Sequence, residues 1–248
     1  MSHRAHDYRY LIERWRAVAR KTGIPLRSLG RTDGFEHFYL RTPALTASGG
    51  IYFSAGIHGD EPASTEALIT WAEQQGRKLR DLPLFLFPCL NAWGLVQNVR
   101  LTLQGADLNR SFHRTDIPVI EAVKKAVAGH QFDAAVMLHE DYDGQGVYLY
   151  EVQRLQPYWG EALLTAARVH LPTDPRPKID GRMVANGIHR RRIDRRRFAR
   201  IGYPEAVWLH LEHSARSFTV ETPSEFALEL RVAAHIAVIE DVIYRVRR

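Results

Sequence analysis

Residues 51–66, IYFSAGIHGDEPASTE, restrict the fold more than any other stretch. An apolar run stops at His58-Gly59-Asp60-Glu61 and passes directly into a helix start with proline in its first turn. A short buried strand that leads straight into a helix is half of a βαβ unit. Such units build parallel sheets covered by helices on both faces, with functional side chains gathered beyond the carboxyl ends of the strands. His58 and Glu61 lie three residues apart in this turn, where an imidazole and a carboxylate can converge on one point. That pair suits Zn2+ better than a hard-ion site. The plain alternative is acids set against the positive end of a helix dipole, so the metal reading needs a third ligand elsewhere.

The rest of the chain repeats the pattern. Apolar spacing predicts an opening amphipathic helix over 8–20, then a hairpin of strands 25–30 and 35–41 around Thr32-Asp33-Gly34. Strand 51–57 precedes helix 62–75, strand 84–90 follows, and helix 119–128 stops at Gly129. Strands 134–138 and 217–220 and a closing helix 225–245 complete the series. The expected fold is α/β, one domain over 1–248, with a mixed, largely parallel twisted sheet and helices on both faces. Residues 155–202 give no periodic signal: proline marks loops in LPTDPRPKID, and basic residues then dominate. WLHLEHSARSF is read as a strand, in which His210 and Glu212 face one way and His213 the other, so these residues are taken as structural or cleft-lining. His3 and His6 fall in the charged terminus and are set aside.

Composition narrows the function. With 45% hydrophobic and 25% charged residues the chain has the balance of a soluble globular protein, and no apolar run approaches the roughly 20 residues of a membrane span. The charged start has no signal-like apolar core, and the single Cys89 agrees with a reducing compartment, so a cytoplasmic location and no membrane partner are expected. Cys89 sits in the apolar run PLFLFPCLN and is read as a buried strand residue. Much of the formal charge of +6 lies in HRRRIDRRRFAR, residues 189–200. That stretch is a solvated face, the rim of an anionic-substrate site or a nucleic-acid patch. A nucleic-acid partner is disfavoured because no binding fold or interleaved aromatic motif accompanies the arginines.

His58 with Glu61, Asn91, His139 and Glu221 all stand at or just past the carboxyl end of an expected buried strand. One such histidine is ordinary; four strand exits supplying ligand or acid/base groups to one edge favour a site. Two histidines and a glutamate form a catalytic zinc set with an open position for water. An unliganded glutamate, for which Glu221 is the candidate, then moves the proton from that water to the leaving nitrogen. A nearby arginine stabilises the oxyanion.

Five motifs in chain order resemble the zinc carboxypeptidases of the carboxypeptidase A superfamily, which also contains the succinylglutamate desuccinylases and aspartoacylases. G-I-H-G-D-E at 56–61 resembles the first zinc motif, and N-A-W-G at 91–94 the N-P-x-G turn, with Ala92 in place of proline. Arg100 with D-L-N-R-S-F at 107–112 resembles the substrate-binding segment, L-H-E at 138–140 the segment of the third zinc ligand, and F-T-V-E-T at 218–222 the strand of the catalytic glutamate. The resemblance implies His58, Glu61 and His139 as zinc ligands and Glu221 as general base and acid. It implies Arg100 at the scissile carbonyl, Asn109 and Arg110 on a substrate carboxylate, and Asp107 accepting a hydrogen bond from His58. The family's mobile tyrosine has no clear counterpart, Tyr203 being the nearest in position.

The implied activity is a zinc metallocarboxypeptidase that hydrolyses the amide next to a free carboxylate on a small peptide or amino-acid conjugate. Within the superfamily the alternative is an N-acyl amino acid deacylase. Those members usually carry a β-rich domain after the glutamate, whereas the 27 residues after Glu221 read as a helix. From another class, the alternative is a noncatalytic protein that binds anions or nucleic acid on the same fold.

Overall fold

The computed structural model describes residues 4–190 and 192–248, so His3 and Arg191 lie outside the described residues. The strands are β1 (Leu26–Thr32), β2 (Phe35–Arg41), β3 (Ile51–Ser54), β4 (Leu84–Phe87), β5 (Ala134–Asp141), β6 (Tyr148–Gln153), β7 (Lys178–Ile179), β8 (Arg182–Met183), β9 (Ile188–Arg190) and β10 (Arg216–Pro223). The helices are α1 (Tyr8–Thr22), α2 (Pro62–Gln75), α3 (Ala92–Gln97), α4 (Pro118–Val127), α5 (Gly160–Ala167), α6 (Arg195–Ile201), α7 (Glu205–Glu212) and α8 (Leu228–Val246). Eight strands form one mixed sheet in the order β1-β2-β4-β3-β5-β10-β6-β9, and β7 and β8 make a separate hairpin. The centre, β4-β3-β5-β10, is parallel throughout, so four strands end at the same edge. This is the α/β architecture expected from the sequence.

Period-two alternation divides the core between the sheet's faces. Ile51, Phe53, Val136, Leu138, Phe218 and Val220 pack beneath α1, α2, α5 and α8. Tyr52, Phe85, Phe87, Ala135 and Met137 face α4, α7 and the segment around Phe112. Helix α1 shows how local chemistry sets an element: Asp7 caps it by accepting from the Tyr10 N–H at 2.9 Å, Gly23 closes it in the left-handed conformation, and Leu11, Ile12, Trp15 and Val18 turn inward.

Several expectations need correction. WLHLEHSARSF is not a strand at its start: His210 and Glu212 belong to α7 and His213 follows as its cap. The alternation in W-L-H-L-E imitates a strand, but residues 206–210 are buried in succession around the helix, which hides its period from a sequence reading. Strand β3 stops at Ser54 rather than at residue 57, because Gly56 turns the chain with φ +60. Strand β4 ends at Phe87 because Pro88 follows and has no N–H to donate, which leaves Cys89 buried just past the strand. Within 155–202 the structure contains α5, α6, β9 and the β7–β8 hairpin. Among the described residues no helix is long and apolar enough to cross a membrane.

Candidate active site

At the shared edge of the parallel strands, the loop after β3 folds back onto the first turn of α3. Two glycines permit this. A Cβ on Gly56 would lie 2.6 Å from Thr65 Cγ2, and one on Gly59 would lie 1.9 Å from the Gly94 carbonyl carbon. With the loop pressed down, His58 points inward and Glu61 occupies the N-cap position of α2 just before Pro62. His139 arrives from β5. The three side chains are almost wholly buried, at 2%, 4% and 2% exposed, and one ligand atom from each lies within 4.8 Å of the others.

Their contacts describe a group that could hold a cation. Glu61 Oε1 is 2.5 Å from His58 Nδ1, and Glu61 Oε2 is 2.9 Å from His139 Nδ1. The second contact is close but not aligned as a hydrogen bond, so Glu61 Oε2 is buried without a hydrogen-bond partner. Burial works to neutralise Glu61, yet the two histidines overcome it and hold the carboxyl below its ordinary range. Burial likewise opposes charge on His58, while Glu61 and Asp107 more than offset it and raise the imidazole. Buried lone pairs converging around positive charge are what a zinc site of two histidines and a glutamate requires, so the residues fit the ion. His58 Nε2 lies 3.3 Å from Asp107 Oδ1; donation to Asp107 leaves Nδ1 free to face Glu61.

Register places the next group. Glu221 on β10 is paired with His139 on β5 and with Tyr148 on β6, so these three side chains stand in one row across the sheet. Burial, with Glu61 and Asp141 adding to it against His139 and Arg100, pushes the Glu221 carboxyl up to about 8. Tyr148 donates its hydroxyl to Asp141 Oδ2 at 3.0 Å, and Arg176 holds the same oxygen at 2.8 Å. Glu140, the next carboxylate considered as a base, points its side chain toward α2 and α8, where it accepts the Ala63 N–H at 2.5 Å and pairs with Arg231.

On the other side, Arg100 grips Asp107 Oδ2 through Nε at 3.2 Å and Nη2 at 3.0 Å, with Nη1 3.2 Å from His58 Nδ1. Asn91 sets the Arg100 loop: its Oδ1 accepts from the Gly94 N–H, and its Nδ2 donates to the Arg100 and Leu101 carbonyls, each at 3.1 Å. Asn91 is therefore a loop organiser at a strand end rather than a group in the cavity. Asn109 is buried with its Oδ1 committed to the Glu205 N–H at 2.9 Å, so its amide nitrogen is the free end. Arg110 is exposed at the same wall.

These groups share a pocket of about 450 Å3 lined by His58, Glu61, Arg100, Asn109, Arg110, His139 and Glu221. Its further walls are Tyr148 and Tyr150 on β6 and apolar residues of α6 and α7, including Phe198, Ile201 and Val207. Tyr203 instead packs on His113 and Phe198. His210, Glu212 and His213 line no part of the pocket. Sequence reasoning missed Tyr148 and Tyr150, although the alternation in VYLYEV over 147–152 carried the signal of a half-buried strand. In the basic stretch, Arg190 is paired with Glu151 and Glu161 at 2.8 and 2.5 Å, while Arg192, Arg196 and Arg200 are exposed. Burial raises the Cys89 thiol to about 12, which removes it as a nucleophile.

Comparison with known proteins agrees with this geometry. Residues 48–141 match the succinylglutamate desuccinylase/aspartoacylase catalytic domain family. No curated protein sequence is significantly similar to the chain. Among solved structures, a protein of Shewanella denitrificans OS217, provisionally described as a metallopeptidase, superposes with a TM-score of 0.85 at 19% identity, over 97% of this chain and 91% of its own. A metallo-carboxypeptidase from Burkholderia cenocepacia gives 0.71 at 19%, over 95% of this chain and 68% of its own. The murein-tripeptide amidase MpaA from Escherichia coli O157 gives 0.59 at 17%, over 90% and 94%. At these identities the likeness is one of fold.

Proposed function

We propose that this chain, which its fold and its 48–141 segment relate to the zinc carboxypeptidase superfamily, is a zinc-dependent carboxypeptidase that hydrolyses the amide next to a free carboxylate on a small peptide or amino-acid conjugate. The observation that carries the reading is one pocket with two poles: a buried His58–Glu61–His139 corner and, beside it, the Asn109–Arg110 wall. His58, Glu61 and His139 hold the ion, and Asp107 fixes the His58 tautomer. When bound, Zn2+ supplies Lewis acidity, polarising the scissile carbonyl and lowering the pKa of water.

Glu221 takes the proton of the attacking water and returns it to the leaving nitrogen. Burial pushes the Glu221 carboxyl up to about 8, and a dication held in the corner would lower it toward the range in which a carboxylate can take and return a proton near neutral pH. The Arg100 guanidinium, steadied by Asp107, stabilises the oxyanion. The Asn109 amide nitrogen and Arg110 bind the terminal carboxylate, for which a planar guanidinium is well shaped. Exposed Arg192, Arg196 and Arg200 favour anionic substrates through long-range steering that weakens with salt.

The test compares each peptide as free acid and as C-terminal amide on the zinc-loaded protein. Amidation removes the negative charge that Arg110 would bind and should lower kcat/KM, and Arg110→Ala should erase the difference. Equal cleavage of acid and amide by the wild type sinks the carboxypeptidase reading. The match of 48–141 to the desuccinylase/aspartoacylase family favours a second reading, an N-acyl amino acid deacylase acting through the same groups. Release of succinate or acetate from N-acyl amino acids, without cleavage of peptides, would select it.

A further inference from the structure

Glu205 is a fully buried carboxyl that no step above uses. It opens α7 and turns its side chain into the sheet, where it accepts hydrogen bonds from the Tyr52 hydroxyl and from Ser54 Oγ, the latter at 2.9 Å. Both donors lie on β3, the strand whose exit delivers His58 and Glu61. The Glu205 backbone N–H instead donates to Asn109 Oδ1 at 2.9 Å. One residue thus joins the metal-bearing strand to the segment that presents Asn109 and Arg110.

Neighbouring contacts tighten the same junction. The Phe112 N–H donates to the Tyr203 carbonyl at 3.1 Å, and Ser111 and Tyr203 form an isolated parallel bridge. Gly202, with φ +87, lies so near that a Cβ there would be 2.2 Å from the Arg110 carbonyl oxygen. A buried carboxyl met by hydroxyls is a costly way to fill space that an apolar side chain could occupy. Its hydrogen bonds, however, fix a spacing that an apolar side chain cannot.

We infer that Glu205 is a positioning residue that sets the distance between the His58–Glu61–His139 corner and the Asn109–Arg110 wall, and thereby selects the amide adjacent to a terminal carboxylate. This rests on the carboxypeptidase reading above. Because the Glu205 N–H occupies Asn109 Oδ1, the same residue also turns the Asn109 amide nitrogen toward the carboxylate. Displacement of such an anchor by an ångström misaligns the scissile bond without removing any reacting group.

The experiment uses N-benzoylglycyl amino acids and their C-terminal amides, with zinc per chain measured alongside. For Glu205→Ala, KM on the free acids should rise roughly 10- to 100-fold while activity on the amides and zinc content stay at wild-type levels, so acid-over-amide preference collapses. Glu205→Gln, which keeps the side-chain length and an acceptor, should restore most of the preference. Glu205→Ala added to Asn109→Ala should lose nothing beyond Asn109→Ala alone. Tyr52→Phe, which removes one hydrogen bond and keeps the ring, should show the same KM-selective change in smaller degree if Glu205→Ala does not fold. Unchanged preference in these variants, or acid and amide activity falling together with zinc, overturns the role of Glu205. A wild type without acid preference overturns the carboxypeptidase reading and this inference with it.

Discussion

Glu221 and Glu140 stand on adjacent parallel strands, one register step apart, and they face opposite sides of the sheet, Glu140 buried and Glu221 half-buried. Both are pushed upward by burial, Glu221 to about 8 and Glu140 to about 7. Their company differs. Glu140 is clamped by the Arg231 guanidinium and the Ala63 N–H beneath α2 and α8, whereas Glu221 opens on the pocket and makes no ion pair among the described residues. In sequence, L-H-E and V-E-T look alike; the face each side chain takes separates a group available for proton transfer from one that holds helices to the sheet.

The sharpest way to break this contrast is to neutralise each carboxyl in turn. Glu221→Gln should keep zinc and thermal stability but lose about 10²- to 10⁴-fold in turnover, whereas Glu140→Gln should retain turnover per folded molecule and melt earlier. Equal loss of turnover in both would erase the distinction. His139→Ala, on the pocket face of the same strand, should lose most bound zinc with its secondary structure intact, as read by metal analysis and circular dichroism.

Next in size is the clamp. Arg231→Ala leaves Glu140 buried without its cation and should cost about 3–5 kcal/mol. In a chain of this length that lowers the melting midpoint by roughly 6–20 °C. Replacing both partners with apolar residues should recover most of the loss, and an unshifted melt in Arg231→Ala would show that the pair contributes nothing.

The smallest effect lies away from both carboxyls, at buried His210, which burial and then Arg154 lower to about 4. A histidine depressed in the fold binds its proton more readily when unfolded, so its contribution is complete above pH 6.5 and fades as pH falls through 4. Stability in that window should change by up to about 1.4 kcal/mol per pH unit from this residue, and His210→Gln should flatten the slope by that amount. A slope unaltered by the substitution would place the acid sensitivity elsewhere.

Much of this arrangement was legible in the chain. Helix α2 begins and ends where the pattern put it, and the β1–β2 hairpin, β3, β4, β5, β10 and α8 were found within a few residues, because buried strands and amphipathic helices leave continuous periodic signals. The converging His58, Glu61 and His139 were visible as polar residues at strand exits. Helix α6 was not, since its arginines mask the few apolar residues, Phe198 and Ile201, that form the pocket wall. The network around Glu205 was equally hidden: Tyr52 and Ser54 read as core strand, and nothing local connects them to a glutamate some 150 positions later. Long-range polar contacts leave no period in a sequence.

The contact between Gly59 and the Gly94 backbone has a consequence for anyone transplanting this chemistry. The H-G-D-E turn rests directly on N-A-W-G, and Asn91 of that second motif ties the Arg100 loop to the same turn. The two motifs are one mechanical part split between distant stretches of chain. A graft of the histidine-bearing turn must carry its own Gly59, because any side chain there would strike the Gly94 backbone, and must bring the Asn91–Gly94 surface on which that turn rests.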